Sequence, residues 1–189
     1  ASSIYQFAEA LLHAGSEPQK RTLLPQIASG DVIGTLAFCE GPGVLTAERI
    51  TVHYRNGALS GTQIPVTDGC AAHRAVVLAR GEAGPGLYLV DLSGEGVTRN
   101  ALSSVDPTRG TARITFDNAV AEPLGAAGDG LEQLARIHDR AAILLAFEQV
   151  GGADRALEMS RDYALERYAF GRQIGSYQAI KHKLADVFV

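Results

Sequence analysis

Glu148 lies in the run Ala-Ala-Ile-Leu-Leu-Ala-Phe-Glu-Gln-Val-Gly-Gly, residues 141–152. A carboxyl group desolvated by such neighbours is disfavoured as the anion, its pKa rises, and it becomes suited to general-base work. The same surroundings better suit a structural carboxylate paired with an arginine or with the Gln149 amide. Asp139, next to Arg140, is either a site pair or a solvated neighbour pair. Asp139 and Glu148 are the candidate catalytic residues. His13, His53, His73, His138 and His182 show neither H-E-x-x-H nor paired Cys/His spacing, so no metal is expected. Neither G-x-S-x-G nor a Walker-type loop occurs. Gly81-Glu82-Ala83-Gly84-Pro85-Gly86 lies between two strand-like runs, with no helix behind it to hold a phosphate, and reads as a mobile loop. Cys39 and Cys70 form no C-x-x-C pair and cannot build a disulfide framework.

Three compositional zones must position these residues. In the first, Ile4, Phe7, Ala8, Leu11 and Leu12 fall on one helical face, with Gly15 as its cap. Ser16 caps a second helix with Pro18 in its first turn, carrying Leu23, Leu24 and Ile27 and ending before Ser29-Gly30. From Asp31 to about Pro123 the pattern predicts strands at Val32–Phe38, Ile50–Tyr54, Arg74–Leu78, Leu87–Leu92 and Ala112–Phe116. Ile50, Val52 and Tyr54 alternate with Thr51, His53 and Arg55, giving one buried and one wet face. Asn56-Gly57 supplies the positive φ angles of a type I′ hairpin turn. From Gly128 helix returns, with Leu131, Leu134, Ala135, His138, Ala142 and Leu145 on one stripe. Residues 141–153 are apolar nearly all round, which predicts burial between neighbouring helices, with Gly151-Gly152 as a packing notch. A turn over Phe170–Gly175 leads to a last helix from Ser176.

The fold class expected is α+β: an antiparallel β-barrel or sandwich flanked by helices, followed by the start of an antiparallel helical bundle. The expected divisions are residues 1–30, 31–123 and 124–189. Both ends read as cut from a longer chain. The 189 residues carry 17 Lys and Arg against 21 Asp and Glu, a net charge of −4, with 46% hydrophobic and 20% charged residues. That acidic balance argues against a nucleic-acid partner. No apolar run approaches the ~20 residues of a membrane span. With no signal-like start and no N-x-S/T sequon, a soluble protein of a reducing compartment, the cytoplasm, is expected.

Tyr-Ala-Leu-Glu-Arg-Tyr-Ala-Phe-Gly-Arg-Gln-Ile-Gly-Ser-Tyr-Gln-Ala-Ile-Lys-His-Lys-Leu-Ala-Asp, residues 163–186, closely resembles the signature of the acyl-CoA dehydrogenase family. Gln-Lys-Arg-Thr-Leu-Leu-Pro at the front, Ile-Pro-Val-Thr-Asp-Gly at 64–69 and Phe-Glu-Gln-Val-Gly-Gly at 147–152 agree in order, so the resemblance covers essentially the whole chain. It implies a flavoprotein with FAD as cofactor. Such enzymes oxidise an acyl-CoA to the trans-2-enoyl-CoA by α-proton abstraction and β-hydride transfer, as in fatty acid metabolism. An electron-transfer flavoprotein or similar acceptor is the implied partner, and a homo- or hetero-oligomer, commonly a tetramer, the implied assembly. The strand end Phe38-Cys39-Glu40 and the element Val66-Thr67-Asp68 would hold one side of the isoalloxazine, with Cys39 near N1/O2 and Thr67 near N5. Cys39 stands where the family usually has Thr or Ser, and a thiol is a poor donor. Arg167 would reach the FAD pyrophosphate of a neighbouring subunit, with Phe170 and Gln178 around the ADP half. A salt bridge from Arg167 to Asp162 or Glu166 is the competing reading.

Pro65 replaces the family's common aromatic residue, and Gly-Pro-Gly-Val-Leu-Thr-Ala-Glu-Arg after Glu40 lacks its Gly-Ser-Asp. These departures fit an alternative, an FAD-poor structural partner subunit of a hetero-oligomeric dehydrogenase. A flavin oxidase or monooxygenase on the same fold is a third reading. The family's common base lies beyond the second bundle helix, outside this sequence. Other members carry it on the first long helix, which leaves Asp139 and Glu148. The fragment alone is expected to be inactive.

Overall fold

A computed structural model describes residues 2–106 and 108–189. They form two compact units, Ala1–Ala141 and Ala142–Val189.

The first unit begins with a π-helical segment, Ser2–Ala8, that continues into α1, Glu9–Ala14. Phe7, Ala8, Ala10 and Leu11 are buried, but Ile4 and Leu12, expected on the same face, are about half exposed. The wider i→i+5 winding displaces successive residues from a 3.6-residue stripe. α2, Glu17–Ser29, is started by a reciprocal cap. The Ser16 N–H donates to Gln19 Oε1 at 2.9 Å, and the Gln19 N–H donates to Ser16 Oγ at 3.5 Å.

Seven strands follow: β1 Gly34–Ala37, β2 His53–Arg55, β3 Ala58–Thr67, β4 Arg74–Gly81, β5 Gly84–Asp91, β6 Val97–Leu102 and β7 Thr111–Leu124. β4, β2, β3, β7 and β5 pair in that order, and β5 pairs back to β4, which closes a ring. The pairing is antiparallel except where β1 runs parallel along β4 and His53 of β2 meets Arg80. β6 pairs antiparallel with β7. The fold is therefore α+β with a barrel-like sheet, as expected. The Asn56-Gly57 turn is present, with φ of 51° and 83° joining β2 to β3.

β6 was not expected, and β3 was implied only as the second arm of the Asn56-Gly57 hairpin. β3 contains Gly61 and Pro65, and its pairing with β7 shifts register near both. Gly61 earns its place because a Cβ there would lie 2.8 Å from Val52 Cα. β6, Val-Thr-Arg-Asn-Ala-Leu, is mostly exposed and lacks an apolar signal. Gly81–Gly86, expected as a mobile loop, is instead the tip of the β4–β5 hairpin, with Gly81 paired to Gly84.

Two hydrophobic cores result. Ala75, Val77 and Ala79 of β4 point into the ring with Leu59, Val66, Val90, Ile114 and Phe116. Val76 and Leu78 point outward against Phe7, Leu11, Leu23, Ile27, Leu134 and Ile137. Burial on both faces explains why this strand is apolar without alternation. Leu134 and Ile137 belong to α3, Gly130–Glu166, whose first turns complete this layer. Arg140 Nε donates to the buried Glu9 carboxylate at 2.6 Å.

The second unit contains the rest of α3, the short hairpin β8 Tyr168–Ala169 and β9 Arg172–Gln173, a 3-10 turn Ile174–Ser176, and α4 Gln178–Phe188. Tyr177 Oη donates to the Ala169 carbonyl at 2.9 Å, and Arg172 stacks over the Tyr177 ring at 4.0 Å. A Cβ on Gly175 would lie 2.9 Å from the Ala164 carbonyl, so the turn presses on the helix. Ile143, Phe147 and Val150, expected to be buried, are exposed because no described element of this unit covers them. The Gly151-Gly152 notch is likewise open.

A Cβ on Gly34 would overlap the ring of the fully buried Phe7. Gly34→Ala is predicted to lower unfolding stability by about 1–3 kcal/mol through overpacking. Gly110→Ala, which meets nothing within 4 Å, should change it by less than about 0.5 kcal/mol. Urea titrations of the two variants check this.

Candidate functional site

Phe38, Cys39 and Glu40 continue from the end of β1 and dock along β3. The Ile64 N–H donates to the Cys39 carbonyl at 2.6 Å, and Glu40 bridges to Ile64. The Glu40 carboxylate accepts the Thr51 N–H at 2.7 Å, the Val52 N–H at 3.1 Å and the Thr51 hydroxyl. It thereby gathers both ends of the irregular segment 41–50. Arg49 closes that segment from within, donating to the Pro42 carbonyl at 2.8 Å. Glu40 was expected only as part of the strand end beside the flavin, and its role as the anchor of segment 41–52 was not. Its signal is an acid at a strand end ahead of Gly-Pro-Gly, where main-chain N–H groups lack ladder partners.

The Phe38 ring meets His138 edge-on, with centroids 4.7 Å apart at 69°. Burial holds the His138 pKa below the ordinary histidine range, against the opposing pull of Asp139. Cys39 is a free, half-buried thiol. Thr67, at the end of β3, is half-buried, and its carbonyl accepts the Thr35 hydroxyl at 2.6 Å. Val66 is fully buried in the barrel core, so only its main chain can meet a ligand. Asp68, at φ 55°, then turns the chain: its N–H donates to Gly110 at 2.7 Å, and its carboxylate accepts the Ser2 hydroxyl at 2.7 Å. The strand ends carrying Cys39 and Thr67 are thus held by neighbouring backbone rather than by their own side chains.

Arg167, Phe170 and Gln178 lie in the second unit. Arg167 follows the last turn of α3, and its carbonyl accepts the Ile174 N–H at 2.8 Å. Its guanidinium is exposed and, among the described residues, bonds no carboxylate; Asp162, the expected competitor, pairs with Arg161 at 2.7 Å. Phe170 is 97% exposed at φ 53°, a left-handed conformation that is unusual for a bulky residue. The Gln178 amide lies 3.3 Å from the His182 ring. The expected cofactor residues therefore form two sets: Phe38, Cys39, Val66 and Thr67 in one unit, and Arg167, Phe170 and Gln178 in the other.

Asp139 and Glu148 also fall in different units, and both are exposed. The desolvation expected around Glu148 is absent because the apolar face that flanks it is itself uncovered. Among the described residues no cluster of His, Cys, Asp or Glu could hold a metal, and no helix is long and apolar enough to cross a membrane.

This arrangement matches known proteins. Residues 128–189 fit the family model described as acyl-CoA dehydrogenase, C-terminal domain. An acyl-CoA dehydrogenase of Bacillus subtilis is 34% identical over 191 residues, covering 94% of this chain and 50% of its own length. The acyl-CoA dehydrogenase IpdE2 of Mycobacterium tuberculosis is 46% identical over 88 residues, 47% of this chain and 25% of its own. The crystal structure of a glutaryl-CoA dehydrogenase from Mycobacterium smegmatis in complex with FADH2 superposes with a TM-score of 0.83 at 28% identity, covering 96% of this chain and 49% of that one. The chain spans half or less of the length of these relatives.

Burial of His138 couples its protonation to folding stability. The unfolded chain protonates this histidine near the ordinary value of about 6.5, while the folded state resists. As pH falls through that range the unfolded state binds more protons, so stability declines and then levels off below the folded pKa. His138→Gln should reduce the decline in urea midpoint between about pH 7.5 and pH 5. An unchanged slope would show that burial beside Phe38 does not perturb His138.

Proposed function

This chain belongs to the acyl-CoA dehydrogenase family, and from that premise we propose that the protein containing it is a flavin-dependent oxidoreductase desaturating an acyl-CoA thioester between its α and β carbons. Residues 1–30 close an N-terminal helical domain, 31–123 form the middle β-domain, and 124–189 open the C-terminal bundle. The observation that carries the reading is the exposed Arg167 guanidinium, without a carboxylate partner, beside the 97% exposed Phe170. A guanidinium left unpaired by its own helix suits a bidentate grip on phosphate oxygens.

The donor set in the first unit also fits a flavin. Thr67 keeps a half-exposed hydroxyl with no hydrogen bond among the described residues, and Glu40 fixes the strand end carrying Cys39. With a thiol at position 39 and the Val66 side chain in the core, the flavin's polar edge would be met by main-chain N–H groups and by Thr67. When bound, FAD supplies the acceptor for the β-hydrogen, transferred as hydride. Removal of the α-proton needs a base shielded from water, and Asp139 and Glu148 are the candidates in this chain. Both are exposed, so the isolated segment is expected to be inactive. The uncovered apolar face around Phe147 supports assembly into a homo- or hetero-oligomer, such as a tetramer. Electrons would pass to an electron-transfer flavoprotein or similar acceptor, and the setting would be acyl, including fatty acid, metabolism in the cytoplasm.

The experiment is Arg167→Ala in the full-length protein, read as the ratio of flavin to protein absorbance. Losing a charge-assisted contact of about 1.5–3 kcal/mol should weaken FAD binding roughly ten- to over a hundred-fold while the fold is kept. Equal flavin in both proteins would remove Arg167 from the cofactor site. A wild type carrying no flavin in any assembly would leave the FAD-poor partner subunit as the reading.

A further inference from the structure

One end of the barrel holds a solvent-open cavity of about 280 Å³. Its walls are the Asn56 turn, the Glu82-Ala83 tip of the β4–β5 hairpin and the segment Gly125–Gly128 that leads to α3. Tyr88 forms part of the lining and is only 6% exposed. Its ring is fixed by stacking on Tyr54, with centroids 4.0 Å apart at 24°. Its hydroxyl has no hydrogen-bond partner among the described residues. Space is kept clear around that oxygen: a Cβ on Gly81 would overlap it, and one on Gly86 would lie 2.9 Å away. That oxygen is not sealed from solvent, and a tyrosine hydroxyl donates to an acceptor where one can reach it. Here the cavity is the direction from which one can come.

We propose that this cavity is a binding site for a flat, bicyclic aromatic molecule carrying a hydrogen-bond acceptor. Size sets the first limit, since the volume is nearly twice the roughly 150 Å³ that accommodates benzene in an engineered protein cavity. The stacked tyrosines, Leu87 and Leu124 supply apolar and aromatic wall, which selects a ring over a cluster of waters. Arg55 and Glu82 bring opposite charges to the lining, so no net field favours a strongly charged ligand. Burial, and secondarily Tyr54, raises the Tyr88 pKa above the ordinary value, so the hydroxyl remains neutral and donates. The site is separate from the residues proposed for the flavin. Ala58 and Thr67 begin and end β3, and nine steps of strand span about 30 Å.

The test uses the full-length protein and two probes of one shape, quinoline, which has a ring-nitrogen acceptor, and naphthalene, which has none. Calorimetric titration of the wild type should give quinoline an affinity advantage of about two- to ten-fold, the range of one net hydrogen bond. Tyr88→Phe keeps the stack and should bring the two probes to equal affinity. Ala127→Phe, in the exposed lining segment, should abolish both and serves as the test should Tyr88→Phe fail to fold. Equal affinities in the wild type, or quinoline binding unchanged by Ala127→Phe, would overturn the proposal.

Discussion

The eight-residue register between β4 and β5, from Arg74 opposite Asp91 to Gly81 opposite Gly84, closes the ring on which the first unit depends. β4 also pairs with β1 and β2, so it is the strand through which the sheet is assembled. Its residues serve two cores in alternation, Ala75, Val77 and Ala79 inward and Val76 and Leu78 outward. A slip of one residue would exchange the two sets and ruin both cores at once. The two-residue tip Glu82-Ala83 prevents this by fixing the hairpin length. Small inward alanines leave room for Tyr88 and Phe116, while the outward Val76 and Leu78 fill against Phe7 and Leu11.

From that frame the candidate flavin platform follows mechanically. β1 lies along β4, which carries the Phe38–Glu40 segment to β3. The Glu40 carboxylate then ties the segment to the start of β2, and Asp68 turns the chain just past Thr67. Both determine where Cys39 and Thr67 stand.

Local signals were legible in sequence wherever one physical cause dominates. The Ser16 cap and the Asn56-Gly57 turn each rest on nearest neighbours in the chain, whereas the expected strand Ile50–Tyr54 shortens to His53–Arg55, with Ile50 in the outer core and Val52 inside the ring. Only the start of β3 was legible, through the Asn56-Gly57 turn, because Gly61 and Pro65 are admitted by bulges, which depend on a partner strand far away in sequence. The burial of Val66 and the exposure of Glu148 were hidden for the same reason, since each depends on what covers the segment. Arg167, Phe170 and Gln178 stood out only through resemblance to a known family. All three are exposed, Arg167 and Phe170 at the β8–β9 hairpin and Gln178 at the start of α4.

The two units each carry one set of the residues proposed for the flavin, Cys39 and Thr67 in one and Arg167, proposed to grip the pyrophosphate, in the other. A structure of the full-length assembly determined with bound FAD tests that division. The Arg167 guanidinium should lie within hydrogen-bond distance of a pyrophosphate oxygen, and Thr67 should face the isoalloxazine. An Arg167 paired with a protein carboxylate, or a flavin held away from Thr67, would contradict it.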